Sequence, residues 1–83
     1  MELKWRRTHT DSWQLWWDDK FIRCAELGMR YSDRKWRLTL SYAVAPLSFV
    51  PDRATFDTLE EAMEHTENLV RVLVIGGHHV NYL

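Results

Sequence analysis

The 83 residues include 46% hydrophobic side chains, five Trp, three Tyr and three Phe, and 11 Lys+Arg against 12 Asp+Glu give a formal net charge of −1. This composition excludes a disordered chain and allows one domain with a thin, largely aromatic core, because so short a chain buries only about 60% of its unfolded surface. The near-neutral total gives no global pull on nucleic acid or an anionic membrane, and a single cysteine, Cys24, excludes an internal disulfide and fits a reducing compartment.

The first residues, Met1 to Thr8, are basic but have no apolar run behind them, so no signal peptide is expected. No stretch reaches the roughly 18 apolar residues of a membrane span, and the expected location is the cytoplasm. Leu3, Trp5 and Arg7 then alternate with Lys4, Arg6 and Thr8. After Thr10-Asp11-Ser12, Trp13, Leu15 and Trp17 alternate with Gln14, Trp16 and Asp18, so the two runs read as a hairpin. Asp18-Asp19-Lys20 reads as a turn, Phe21 to Leu27 as a third strand, and Gly28 to Asp33 as a break. Trp36, Leu38, Leu40, Tyr42 and Val44 then mark one face of a strand whose other face carries Lys35, Arg37, Thr39, Ser41 and Ala43.

Pro46 and Pro51 bracket a segment read as loop, because proline removes a ladder donor. The run FDTLEEAMEHTENLV spaces Leu59, Ala62, Met63, Thr66, Leu69, Val70 and Leu73 as one face of a helix. Asp57 with Glu60, or Thr58 with Glu61, fits a capping box, and Phe56 suits a staple onto the first turn. Gly76-Gly77 is expected to end the helix. The expected fold is therefore one α+β domain over 1–83: a three- to four-stranded antiparallel β-meander over about 2–45, a loop over 46–56, a helix over about 58–74 packed on the sheet, and a short tail over 76–83.

Strand alternation assigns Leu3, Trp5, Trp13, Leu15, Trp17, Ile22, Cys24, Trp36, Leu38, Leu40 and Tyr42 to the helix-covered face. The opposite face then holds Lys4, Arg6, Gln14, Trp16, Phe21, Arg23, Lys35, Arg37 and Thr39, while Glu60, Glu61, Glu64 and Glu67 form an acidic outer face on the helix. Tryptophan among guanidinium groups is the composition of a binding surface, so Trp16, Lys4, Arg6, Phe21, Arg23, Lys35 and Arg37 are the expected partner-binding residues.

Catalytic and metal chemistry find little support. His9, Asp11 and Ser12 carry the residue types of a triad, but neighbours on a turn do not set a base against a nucleophile with a third group orienting it. His78 and His79 alternate to opposite sides of an extended tail and lack paired zinc-ligand spacing. Gly76-Gly77 follows an apolar run without a phosphate-loop pattern, and Cys24 reads as a buried, inert thiol. No catalytic residue, cofactor or metal is expected.

TFDTLEEAMEHTENL at 55–69, preceded by KWRLTL at 35–40, resembles small uncharacterised proteins of bacteriophages and mobile elements that run Trp-rich strands into a closing F-x-T-L-E-E-A helix. That resemblance implies a phage-encoded accessory protein, working in host cytoplasm, that binds and inhibits a host protein or defence complex. The same residues are similar to DNA-binding domains of the plant ethylene-response type and integrase arms, in which a three-stranded sheet enters the major groove. Trp36, Thr55, Phe56, Asp57, Thr58, Glu61 and Ala62 fall on that pattern as scaffold positions. Ala54 replaces its glycine, and of its arginines between the second and third strands only Arg53 remains, so its binding residues are not carried over. The expected function is a non-enzymatic protein-binding module, with double-stranded DNA binding through the same face and a homodimeric structural role as the alternatives.

Overall fold

Leu3–His9 (β1) and Ser12–Trp17 (β2) pair antiparallel through Thr10 and Asp11, placing Leu3 opposite Trp17 and Trp5 opposite Leu15. The computed structural model describes residues 2–45, 49 and 51–80, with side chains through residue 75. A single 3-10 turn, Asp18–Lys20, leads into Ile22–Arg30 (β3), and a tight turn over 31–34 leads into Lys35–Leu40 (β4). Thr55–Phe56 (β5) adds to β4, and the strands lie in the order β1-β2-β3-β4-β5, antiparallel throughout. The helix α1, Leu59–Val80, packs on β3, β4 and β5, and the domain is α+β as expected.

Five strands replace the expected three or four, because Thr55–Phe56 pairs with Arg37 and Trp36 inside the segment read as loop. Gly28 does not break β3. It sits in mid-strand opposite Ser12 and Arg37, and the ladders on both sides hold the chain extended as far as Arg30. β4 stops at Leu40, after which Ser41 turns the chain with its backbone N–H on the Cys24 carbonyl. Tyr42 is therefore 81% exposed and not on the covered face, while Val44 packs against the core beyond the turn. The loop expected over 47–50 falls mostly outside the described residues, in which Phe49 belongs to no regular element.

Leu15, Leu27, Leu38, Trp36 and Phe56 from the sheet meet Ala62 and Val70 from the helix in one core. Ala62, Thr66 and Val70 follow one another at i, i+4, i+8 and are completely buried, as the stripe requires. Thr66, the polar member, donates its hydroxyl to the Ala62 carbonyl at 2.6 Å, so its burial leaves no donor unpaired. Thr58 caps the helix: its Oγ1 accepts the Glu61 N–H at 3.2 Å, an interaction of about 1 kcal/mol. The Glu61 carboxylate pairs with Arg53 and does not turn back to the cap, so half of the capping box forms. Phe56 enters the core as part of β5, its ring 5.0 Å from that of His65.

Gly76-Gly77 does not end the helix, which continues to Val80. Glycine costs a helix about 1 kcal/mol per residue, but it does not force the left-handed turn that its position suggested. The helix takes up most of the expected tail, and 81–83 lie outside the described residues.

Candidate interaction surface

A β-bulge sets the outer face of the sheet. Leu15 pairs with Ala25 and Trp16 with Arg23, so Cys24 is the extra residue on β3. Cys24 and Ala25 are both buried, which simple alternation forbids. Beyond the bulge the phase is reversed: Ala25, Leu27 and Met29 join the covered side, and Glu26 joins Arg23 on the outer side. Cys24 with Ile22 on the covered side was expected; the reversal and Glu26 were not. The adjacent apolar pair Cys24-Ala25 is the sequence mark of this shift.

On the outer face the cross-strand pairs form rows, Lys4–Trp16–Arg23 in one and Arg6–Gln14–Glu26–Thr39 in the next. Gln14 joins the rows: its amide nitrogen donates to Glu26 Oε2 at 3.0 Å, and its amide oxygen accepts the Trp16 indole N–H at 3.2 Å. The Arg6 guanidinium lies over the Trp16 ring, 5.1 Å from its centroid. Trp16 is therefore half-buried, held in place by Arg6 above and Gln14 beside it. Such pairing fixes rotamers before any partner arrives, which lowers the ordering cost of binding.

The basic character is partly offset within the face. Asp18, at the start of the 3-10 turn, accepts Arg6 at 3.0 Å and lies 3.4 Å from the Lys4 ammonium, which also approaches Glu2 at 3.5 Å. The Arg6 hydrogen bond, with help from Lys4, holds the Asp18 carboxyl below its usual range, and Asp18 in turn raises the Lys4 pKa. Arg30 is paired with Asp33, and Lys35 lies 3.7 Å from Asp57. Arg23 and Arg37 are exposed and have no ion partner among the described residues. Arg37 helps line a shallow hollow with Glu26, Gly28, Arg30 and Thr39.

The expected acidic helix face is divided. Glu60 and Glu64 are exposed, but Glu61 is bound to Arg53 and Glu67 turns to the sheet, accepting the Trp5 indole N–H at 3.1 Å. Val72 and Ile75 are 66% and 64% exposed on the last described turns.

Phe21 is not part of a strand. It closes the 3-10 turn with φ 54 and ψ 39, its N–H on the Asp18 carbonyl at 3.4 Å, and its ring is 78% exposed. A left-handed backbone is easy for Gly or Asn and costs other residues about 1–2 kcal/mol. Arg34 in the β3–β4 turn is the other such residue among those described, with φ 56. Phe21 precedes Arg23 by two residues where β3 begins, and Tyr42, which follows Ser41, lines a hollow with Arg37, Thr39, Ala45, Phe49 and Pro51.

The other chemical groups do not assemble. His9 pairs with Ser12 across the β1–β2 turn, and Asp11 accepts the Tyr31 hydroxyl, an interaction that raises the Tyr31 pKa. No side-chain bond joins His9, Asp11 and Ser12 among the described residues. Cys24 is buried and desolvation raises its pKa, and its thiol makes a weak 3.6 Å bond to the Ile22 carbonyl. The side chains of His78 and His79 lie outside the described residues. Among the described residues there is no group of three or more His, Cys, Asp or Glu placed to hold a metal, and no helix long and apolar enough to cross a membrane. Comparison with protein-family models, curated proteins and solved structures finds no match to this chain.

Proposed function

We propose that the protein is a non-enzymatic protein-binding module that presents the outer face of its sheet to a carboxylate-bearing surface of a partner protein. The observation that carries the reading is the fixed Arg6–Trp16–Gln14–Glu26 network, flanked by Arg23 and Arg37 with no ion partner among the described residues. Trp and Arg dominate binding hot spots, and a pre-ordered pair loses less entropy on docking. The resemblance to small phage proteins supports a host protein as the partner and inhibition as the outcome.

Double-stranded DNA is the second reading, favoured by Arg23 and Arg37 and by Lys4, Arg6 and Lys35. Two features count against it. Glu26 sits between the arginines, where it would repel phosphate, and Asp18 already engages both Lys4 and Arg6. Phosphate binding would show a steep loss of affinity with salt, because counterion release drives it. The test is retention of partners by the tagged protein with and without nuclease, followed by affinity measurements on Trp16→Ala/Arg37→Ala. A protein partner that survives nuclease and binds the double variant at least about tenfold more weakly supports the proposal. A complex lost with nuclease favours DNA.

A further inference from the structure

Phe21 combines two features that folding alone disfavours: a left-handed backbone at a bulky aromatic residue, and a ring left almost wholly in water. Replacing it with glycine would relieve the backbone and sacrifice almost no packing. Strain retained at an exposed residue is a mark of function when neighbouring groups supply a use for it. That use comes from Arg23, two residues on, exposed and with no ion partner among the described residues. Arg23 pairs directly across from Trp16, so the corner is continuous with the outer face.

We propose that Phe21 is the docking anchor of this protein, an aromatic knob that enters an apolar pocket on the partner protein, with carboxylates at the pocket rim meeting Arg23. The chemistry follows from the corner itself: an exposed aromatic ring suits an apolar recess, and the exposed arginine two residues on selects acidic surroundings. The left-handed residue closes the 3-10 turn just before β3 and leaves its ring 78% exposed. The inference rests on the outer-face reading above and gives it a centre. Arg34 has the same backbone strain without an aromatic ring, in the β3–β4 turn at the other end of the sheet, and so serves as the internal control.

The test places p-benzoylphenylalanine at position 21, and separately at 16 and 37, in the full chain within the cells that make it, and maps the peptides joined on irradiation. Purified partner is then titrated with the wild-type protein, Phe21→Gly and Arg34→Gly. The expected result is an adduct from position 21 within an apolar recess bordered by Asp or Glu. Phe21→Gly should melt a few degrees higher yet bind at least about 30-fold more weakly. Arg34→Gly should gain stability and keep its affinity. Adducts from 16 or 37 with none from 21, or full affinity in Phe21→Gly, overturn the anchor while leaving the face in place. No protein adduct from any of the three positions overturns both.

Discussion

Trp5 donates its indole N–H to Glu67 at 3.1 Å and so ties the first strand to the helix across 62 residues of sequence. Hydrogen bonds to charged groups contribute about 1.5–3 kcal/mol, and this one secures an edge strand that has a neighbour on one side only. Trp5→Phe is expected to lower unfolding free energy by about that amount in urea titrations. Glu67→Gln retains an acceptor and is expected to lose less. Equal losses would show that the carboxylate contributes no more than a neutral acceptor.

Trp17 is in the opposite condition: its indole N–H is buried and has no acceptor among the described residues. An unmet buried donor costs about 1–3 kcal/mol, which offsets much of what the larger ring gains over phenylalanine. Trp17→Phe is therefore expected to lie within about 1 kcal/mol of the wild type, well above Trp5→Phe in the same titration. A loss as large as that of Trp5→Phe would contradict the assignment.

Arg30, by hydrogen bonding first and charge second, holds the Asp33 carboxyl down at about 2, and Arg6 lowers Asp18 in the same way. Both folded values lie below the unfolded one near 4, so each contribution is present above the unfolded value and is lost as pH falls through the folded one, about 2 for Asp33. Lys4 is raised, and its contribution is present at neutral pH and lost only above its usual range. In melts from pH 5 to pH 2, the Tm advantage of the wild type over Asp33→Asn should shrink to a small fraction of its value at pH 5. Because these pairs are exposed, 1 M salt should shrink it too.

Gly28 lies in the middle of β3 with extended backbone, and a Cβ built there meets nothing within 4 Å. Gly28→Ala is expected to stabilise the fold by about 0.4–1 kcal/mol, chiefly by restricting the unfolded chain. A destabilised variant would mean that the outer face closes on this position.

The thiol of Cys24 is buried, and burial raises its pKa. Since thiolate is the reactive form, labelling by a disulfide reagent is expected to follow global unfolding and to accelerate steeply with urea. Rapid labelling in native buffer would place the bulge outside the core.

The regular parts of the fold were legible in the sequence because one physical signal dominated each. Trp13, Leu15 and Trp17, then Trp36, Leu38 and Leu40, keep strict alternation, and the helix repeats every three to four residues behind a threonine cap. Legibility fails where a neighbour overrides the local signal. The ladders on each side carry β3 through Gly28, and the bulge at Cys24 reverses the phase and brings Glu26 to the outer face. The seven expected surface residues do lie on the outer side or its corner, but Asp18 reaches back to two of them, a contact made by folding the 3-10 turn. Phe21 read as a strand residue because nothing in its own chemistry signals a positive φ, and β5 was too short to show any period.

The outer face is tested most directly by the affinity of a nuclease-resistant protein partner for the wild type and for Trp16→Ala/Arg37→Ala, measured once circular dichroism has shown the variant folded. Loss of the ring under Arg6 and of an exposed arginine should weaken binding at least about tenfold while the fold remains intact. Unchanged affinity in the folded double variant would contradict the assignment of this face as the interface.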